Sequence, residues 1–379
     1  MVKIVIGGDI CPTIRDRAAF IKGDTIGLWG DLLPVFKSAD FVVANLETPL
    51  ATKESPINKS GALFLNPPEI LNAIKEAGIN FLNLSNNHIL DHGQEGLTST
   101  IRSLNEANLI FSGAGENLEE ASRPYSTDIQ DKRISVISYA EHEFSIAENG
   151  KGGANPLNLM DFITRIQKLK KTSDFIILLY HGGKENYMLP TPNQQELCRF
   201  FIDQGVDTVI CQHSHVAGCY ENYSKGKIFY GQGNFIFDPY PLKKEWLYSG
   251  FLIEMDLFPN NDVKYNLIPY VHKSLQNNEI GIRKMNQTEA LDFFKKIEEK
   301  NSKIVEPEYV IQQWNDLSLQ LQPIYLSVLN GNGSLLRKFN EYFPWLNWIY
   351  SGKRKNTLQN IINCETHREM VITILKNKV

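Results

Sequence analysis

The sequence predicts an α/β domain that is followed by a helical C-terminal region. Apolar runs of strand length alternate with amphipathic helical patterns over residues 1 to about 255, and polar clusters follow the strands. After about residue 275 the pattern becomes helical, charged and rich in amides. We therefore divide the 379 residues into a domain at 1–275 and a helical extension at 276–379.

The first part of the domain has a β–α–β rhythm. "KIVIGGD" and "SADFVVANLETPL" are predicted strands, and "PPEILNAIKEAG" is a predicted helix with Pro in its first turn and Gly beyond its end. "INFLNLSNNH" is a third predicted strand. "GQEGLTSTIRSLNEAN" places Leu97, Ile101 and Leu104 on one helical face, and the short apolar run "LIFSGAG" follows.

The second part of the domain repeats this rhythm. "RISVISYAEH" and "DFIILLYHGG" are apolar runs that end in polar residues, and "TPNQQELCRFFIDQG" is a predicted capped helix. "VDTVICQHSHV" and "KIFYGQGNFIFD" are further strands that end in polar clusters. Ligand sites in α/β folds gather where the strands end, so this edge is the expected position of a site.

Composition and charge exclude several classes of protein. The formal net charge of −4, with acidic and basic residues mixed, gives no basic surface for nucleic acid. The five cysteines have no C-x-x-C spacing, which favours reduced thiols. We find neither a signal-peptide pattern nor an apolar run of about 18 residues, and we expect a cytoplasmic protein.

Polar side chains that can bind metals follow most of the predicted strands. Five of the eight histidines belong to these clusters. In chain order, the clusters contain Asp9, Glu47, Asn86, Asn87, His88, His92, His181, Glu185, His213, His215 and Asn234. Carboxylate, amide and imidazole groups together form a ligand set for borderline metals such as zinc, manganese or iron.

Each cluster also has a structural interpretation when it is taken alone. A strand-terminal Asp is commonly a cap or turn residue, and Asp91 or Asn87 could cap the next helix. In "HSH", alternation along an extended segment would point His213 and His215 to one side. The occurrence of all these polar clusters together, at the strand ends of one domain, favours a metal site.

This ligand set suggests a reaction class. Two divalent ions bridged by one carboxylate lower the pKa of a water molecule, and they can bind phosphoryl oxygens or polarise a carbonyl group. His88, next to the candidate ligand Asn87, is then free to donate a proton to a leaving oxygen.

Seven motifs occur in a characteristic order: "GGDI", "NLETPL", "LSNNHILDHG", "HGGKENY", "PTPNQQEL", "DTVICQHSHV" and "YGQGNFIFD". In these motifs the sequence resembles the bacterial capsule synthesis CapA family (the PGA_cap domain), which is itself similar to the calcineurin-like metallophosphoesterases. The resemblance implies a four-layer αββα sandwich in which two mixed sheets are flanked by helices, with metals at one edge.

The resemblance also implies a ligand set for two divalent ions, which we expect to be Mn, Zn or Fe. Glu47 would bridge the two ions, and Cys11 stands where metallophosphoesterases have a metal-binding His. A thiolate at Cys11 could bind only if the metal lowers its pKa. The implied metal ligands are Asp9, Cys11, Glu47, Asn87, His181, His213 and His215.

His88 is the implied catalytic imidazole, and we include Asn87 and Glu185 as candidate catalytic residues. Asp91, His92 and Gly93 are expected to shape the turn into the next helix.

Family resemblance implies a role in the synthesis of poly-γ-glutamate or of a surface polysaccharide. Three functions stay open: a metal-dependent hydrolase of a phosphoester in an envelope intermediate, a hydrolase or transferase at γ-glutamyl or other amide bonds, and a non-catalytic component of the capsule machinery. The expected partner is a small-molecule or polymer substrate, namely a phosphoester, a polyglutamate or a glycan intermediate.

The segment "EYFPWLNWIYSGKRKN" places aromatic residues beside Lys353, Arg354 and Lys355. This composition is compatible with a peripheral contact to the inner face of the membrane. The alternative is aromatic packing within the helical region, followed by a solvated turn.

Overall fold

The structure is a computed structural model that describes residues 1–237, 245–274, 279–329 and 352–376. The strands are β1 (Val2–Ile10), β2 (Phe41–Leu46), β3 (Phe81–Asn83), β4 (Ile110–Ser112), β5 (Ala114–Gly115), β6 (Tyr125–Ile129), β7 (Lys132–Ala140), β8 (Gly153–Ala154), β9 (Phe175–His181), β10 (Thr208–Gln212), β11 (Tyr220–Tyr223), β12 (Gly226–Phe229), β13 (Asn234–Ile236), β14 (Ser249–Leu257), β15 (Val263–His272) and β16 (Ile282–Lys284). The α-helices are α1 (Ile14–Lys22), α2 (Thr25–Trp29), α3 (Leu33–Lys37), α4 (Ile70–Ala77), α5 (Gly93–Glu106), α6 (Leu118–Ala121), α7 (Leu159–Leu169), α8 (Pro192–Asp203), α9 (Gln287–Ile304), α10 (Pro307–Leu329), α11 (Gly352–Asn363) and α12 (Glu365–Lys376).

Two large mixed sheets form the centre of the fold. The first has the order β16-β15-β14-β1-β2-β3-β4, with β13 also paired to β1, and the second has the order β11-β12-β10-β9-β7-β6. Strands β1, β2 and β3 run parallel to one another, as do β7, β9 and β10. The carboxyl ends of each parallel set therefore meet at one edge of its sheet.

Alternating side chains along the strands create separate apolar layers. In β1, Ile4 and Ile6 pack with Ile177 and Leu179 of the second sheet, whereas Val5 faces the helices on the other side. The outer face of the second sheet packs against α7 and α8 through Phe162 and other apolar residues. The layers are thus helix, sheet, sheet and helix, which confirms the predicted four-layer αββα sandwich.

One predicted strand ends earlier than the sequence pattern suggested, whereas a predicted helix begins where expected. The third predicted strand is only three residues long, because the chain leaves the sheet at Asn83 before the "SNNH" segment. The helix in "TPNQQELCRFFIDQG" begins as predicted, since Thr191 and Gln194 form a capping box and Pro192 occupies the first turn.

The C-terminal region is largely helical and packs on the sandwich. Strand β16 pairs with β15, so the first sheet takes its last strand from residues beyond 275. Ile297 of α9 packs in the layer between the sheets, and Ile304 and Val310 join the core on the outer face of the second sheet. The aromatic segment at 342–350, discussed above as a membrane contact, lies outside the described residues.

In the part of the chain that the structure describes, no helix combines the length and the apolar character needed to span a membrane.

Candidate metal centre

The strand register brings the first polar residues together. Asp9 of β1 lies opposite Asn45 of β2, and Asn45 lies opposite Asn83 of β3. The Asn45 amide donates to Asp9 Oδ1 at 2.8 Å, and Asn83 donates to the Asn45 oxygen at 3.2 Å. These amide hydrogen bonds hold the Asp9 carboxylate in place. Asn45 stands two residues before Glu47, so the same part of β2 also positions Glu47.

Two groups of side chains at this edge can each hold a metal ion. One group consists of Glu47, His181 and His213, and the other consists of Asp9, Glu47 and His215. Within each group the ligand atoms lie within 4.8 Å of one another. Glu47 belongs to both groups, which places it where a bridging carboxylate would be required.

The Glu47 carboxylate has an unusual environment. It is fully buried, and among the described residues neither of its oxygens has a hydrogen-bond partner. Burial and the nearby Asp9 carboxylate raise the pKa of Glu47 well above its ordinary value. A buried, unpartnered carboxylate is costly in a protein, and a bound cation would remove that cost. The residues present therefore fit a divalent metal.

The histidines offer lone pairs to this carboxylate centre. His181 Nε2 lies 3.4 Å from Glu47 Oε1 and 3.1 Å from Asn87 Oδ1. Burial lowers the pKa of His181 to about 4, so the ring is neutral at neutral pH. His213 Nδ1 lies 3.2 Å from His181 Nε2, and burial likewise lowers the pKa of His213. Neutral imidazoles are the form that binds metals.

His215 is held on the opposite side of the centre. Its Nδ1 lies 3.0 Å from Asn234 Oδ1 and 3.9 Å from Asp9 Oδ2. Burial lowers the pKa of His215, but the carboxylates of Glu47 and Asp9 outweigh burial and raise it. The His215 pKa is therefore raised by the same negative charge that a cation bound at the second group would neutralise.

The backbone of the "HSH" segment differs from the predicted extended form. Strand β10 ends at Gln212, and His213 and His215 have φ angles of 94° and 59°. Both residues adopt the left-handed region, which few residues other than Gly occupy. The prediction that strand alternation aligns these rings was wrong. A tight turn brings them together instead, with ring centroids 6.1 Å apart.

His88 lies beside the metal ligands and has its own carboxylate partner. Its Nδ1 lies 2.7 Å from Asp91 Oδ2, and its Nε2 lies 4.0 Å from Glu47 Oε1. Asp91 thus fixes the tautomer in which Nε2 faces the centre. Lys59 is buried, forms an ion pair with Asp91 and approaches His88 Nδ1 at 3.2 Å.

Asp91 does not cap the helix that follows. His92 is the N-terminal boundary residue of α5, without a side-chain cap, and Gly93 supplies a φ of 63° at its start. The Asp91 carboxylate instead accepts the backbone N–H of Phe64 at 2.7 Å. The alternative interpretation of this motif as a capped helix start is therefore wrong.

Sequence reasoning missed three contributors to the centre. Asn45 could have been found, because it stands two residues before Glu47 in a quoted motif. Lys59 lies in a segment without a helix or strand pattern, and nothing in the sequence connects it with Asp91. Glu143 Oε1 lies 3.7 Å from His213 Nε2, and burial together with Glu141 raises the pKa of Glu143 to about 7.

Glu185 has a different position from the other predicted catalytic residues. It is exposed on the wall of a cavity of about 580 Å³ that is also lined by Asn87, His88, His213 and His215. The structure therefore places Glu185 near an entering substrate, and its catalytic role stays a prediction.

Cys11 is fully buried, and among the described residues it belongs to neither ligand group. Burial, followed by the carboxylates of Glu47 and Asp91, raises the pKa of its thiol well above the ordinary value. We expect Cys11→Ala to retain the metal content of the unmodified protein, measured by elemental analysis after gel filtration. A lower metal content in Cys11→Ala, with His213→Ala as the positive control for loss, would show that the thiolate is a ligand.

Two mixed sheets between helical layers, with two groups of possible metal ligands at one edge, define a four-layer αββα sandwich with a candidate metal centre. The family described as bacterial capsule synthesis protein PGA_cap matches residues 3–239 of this chain. The chain belongs to this family, which confirms the resemblance drawn from the seven motifs.

Individual relatives are similar over part of their length. The capsule biosynthesis protein CapA of Bacillus anthracis is 32% identical over 214 residues, which are 54% of this chain and 52% of that protein. The PGA biosynthesis protein CapA of Bacillus subtilis (strain 168) is 29% identical over 214 residues, which are 54% of this chain and 55% of that protein. The chain thus spans about half the length of the curated relatives that it matches.

Solved structures show a more distant similarity. The calcineurin-like phosphoesterase YfkN from Bacillus subtilis aligns with 82% of this chain and 98% of its own, at 12% identity and a TM-score of 0.41. A phosphatase from Mycoplasma pneumoniae aligns with 71% of this chain and 93% of its own, at 15% identity and a TM-score of 0.46.

Proposed function

We propose that this chain is a divalent-metal-dependent hydrolase that cleaves a phosphoester during the synthesis of a capsule or a related surface polymer. The shared Glu47 carboxylate carries this proposal. It lies between two groups of ligands, and within the described ranges neither of its oxygens accepts a hydrogen bond. Membership of the capsule synthesis family supports the biological setting.

The reaction is the addition of water to phosphorus. The bond from phosphorus to the alcohol oxygen breaks, and the alcohol leaves with a proton. When bound, divalent cations supply positive charge that acidifies water and neutralises phosphoryl oxygens. The residues proposed to hold them are Asp9, Glu47, Asn87, His181, His213 and His215.

His88 is the proposed proton carrier for the leaving alcohol. Burial lowers the pKa of His88 to about 4, so the ring is neutral before substrate binds. A phosphoryl group beside Nε2 adds negative charge, which raises this pKa and lets the ring hold a proton. Asp91, at 2.7 Å from Nδ1, stabilises the resulting imidazolium ion.

The metal content of the purified protein tests this proposal. We expect about one to two transition-metal ions per chain and hydrolysis of p-nitrophenyl phosphate or its bis ester. Chelation should abolish turnover, and manganese or zinc should restore it. His213→Ala should lower the metal content. His92→Ala should leave it unchanged, because His92 accepts the Ser55 N–H at 2.8 Å and belongs to neither ligand group among the described residues. A protein that binds no metal from solution would refute the proposal.

A second candidate function is cleavage or transfer at a γ-glutamyl amide. The name of the Bacillus subtilis relative, PGA biosynthesis protein CapA, favours this candidate. The same cationic centre would polarise the amide carbonyl. Turnover of a γ-glutamyl anilide, without hydrolysis of either phosphate ester, would favour it. A metal-loaded protein that turns over none of these compounds would support the third possibility, a non-catalytic component of the capsule machinery.

A further inference from the structure

The C-terminal helices form one wall of the cavity over the candidate metal centre. Besides the polar residues of the sandwich, Leu321 and Tyr325 of α10 and Ile361 of α11 line this cavity of about 580 Å³. Pockets of this volume hold small organic ligands. The cavity therefore joins the reactive polar centre to a wall of the helical extension, where these apolar side chains lie among the polar residues Thr357, Asn360 and His367.

From this arrangement we propose that the substrate is a phosphoester whose alcohol part is apolar, and that the α10–α11 wall recognises that part. This inference rests on the proposed phosphoesterase function. It names the chemical class of the group that leaves, and it makes Leu321 and Ile361 residues that determine specificity.

Aromatic rings continue the apolar surface up to His88. The Phe64 ring lies 4.5 Å from the His88 ring, measured between centroids, and 5.2 Å from the Phe237 ring. Phe237 also packs at 5.1 Å from the His215 ring. The alcohol that takes a proton from His88 is thus released beside two aromatic rings.

The charges of the cavity argue against a polyanionic chain as the occupant. Lys59 is already paired with Asp91. Glu143 and Glu185 line the same walls beside one further lysine, Lys184, so outside the metal centre these walls offer an acidic polymer no excess of positive charge. One phosphoryl group at the metal centre, followed by an uncharged group, fits these walls better.

Helix α12 packs against both helices of the wall, through Met370 and Ile374, and hydrogen bonds hold α12 in a fixed position against the metal ligands. Buried Glu141 accepts from Thr366 Oγ1 of α12 at 2.5 Å and from the Gly183 backbone N–H at 3.1 Å. Gly183 stands two residues after His181, so α12 is linked to the loop that follows this ligand. Glu365 forms a second link, through His142 Nδ1 at 2.6 Å. A fixed wall selects a ligand by shape because little order is lost on binding.

Calorimetric binding of alkylphosphonates, which cannot be hydrolysed, tests the inference on the metal-loaded protein. We expect hexylphosphonate to bind at least about tenfold more tightly than methylphosphonate, since each buried methylene favours binding. Leu321→Ala should reduce this ratio by about fivefold and leave the affinity for methylphosphonate within about twofold. Leu319→Ala is the matched control, because Leu319 lies on the same helix and is 50% exposed.

Thermal unfolding of Leu321→Ala and Leu319→Ala shows whether these variants fold. Ile361→Ala and its control Ile362→Ala give a second matched pair, because the two side chains are 7% and 62% exposed. Equal affinity for the two phosphonates would overturn the inference. An equal loss of affinity for hexylphosphonate and methylphosphonate in Leu321→Ala would also overturn it. Chain-length-dependent binding without hydrolysis of hexyl phosphate would instead refute the proposed function and retain the wall as a ligand site.

Discussion

Replacing His88 with alanine is expected to lower kcat by about 10²- to 10⁴-fold, the usual contribution of a positioned acid or base. His88 Nε2 lies 4.0 Å from Glu47 Oε1 and faces the cavity, while Asp91 holds Nδ1 at 2.7 Å. The ring is therefore placed to exchange a proton with substrate rather than to complete either ligand group. Metal content, measured by elemental analysis, should stay near that of the unmodified protein.

His92→Ala is the control for this experiment, because it removes an imidazole four positions away that belongs to neither ligand group among the described residues. It should retain kcat and metal content. If His88→Ala loses turnover and metal together, then His88 holds the metal, and its assignment as a proton carrier is wrong.

Replacing Glu47 with glutamine is expected to have opposite effects on the metal-loaded and the metal-free protein. Because Glu47 belongs to both ligand groups, the change should remove most of the bound metal and abolish turnover. In the metal-free protein it should raise the free energy of unfolding by about 1–3 kcal/mol, because a neutral amide replaces a carboxylate whose negative charge is buried beside Asp9. Denaturant unfolding in the presence of a chelator measures this effect.

The sign of the pH dependence follows from the raised pKa of Glu47, which burial and Asp9 cause. Such a carboxyl group is stabilising when protonated, and this stability is lost as the pH rises. Metal-free Glu47→Gln should therefore have a higher free energy of unfolding than the unmodified protein at neutral pH. This difference should vanish in acid, where Glu47 is protonated in both the folded and unfolded states. Glu196→Gln, at an exposed position of α8, should show no such change. Lower stability of metal-free Glu47→Gln at neutral pH would contradict this account.

The fold was predictable because its signals are local. Strand β9 is a continuous apolar run, and α8 carries its capping box in consecutive residues. The same applies to Asp9 and Glu47, which stand where apolar strands end. In each case a few neighbouring residues contain the information.

The remaining parts of the site depend on contacts between distant residues. Lys59 reaches Asp91 across 32 positions of the chain, and no pattern at either residue indicates the other. Glu141 and Thr366 are separated by 225 positions, so the contribution of the helical extension to the cavity was not predictable from its composition. The left-handed backbone of His213 was missed because H-x-H resembles a strand segment.

The left-handed backbone at His213 and His215 also limits which variants can arise there. Among residues other than Gly, Asn and Asp tolerate this conformation best, whereas β-branched residues do so poorly. Random mutagenesis at these two codons should therefore yield well-folded Asn and Asp proteins with altered ion preference, and poorly expressed Val and Ile proteins. Mutational tolerance at the two codons would then reflect main-chain geometry as well as ligand chemistry.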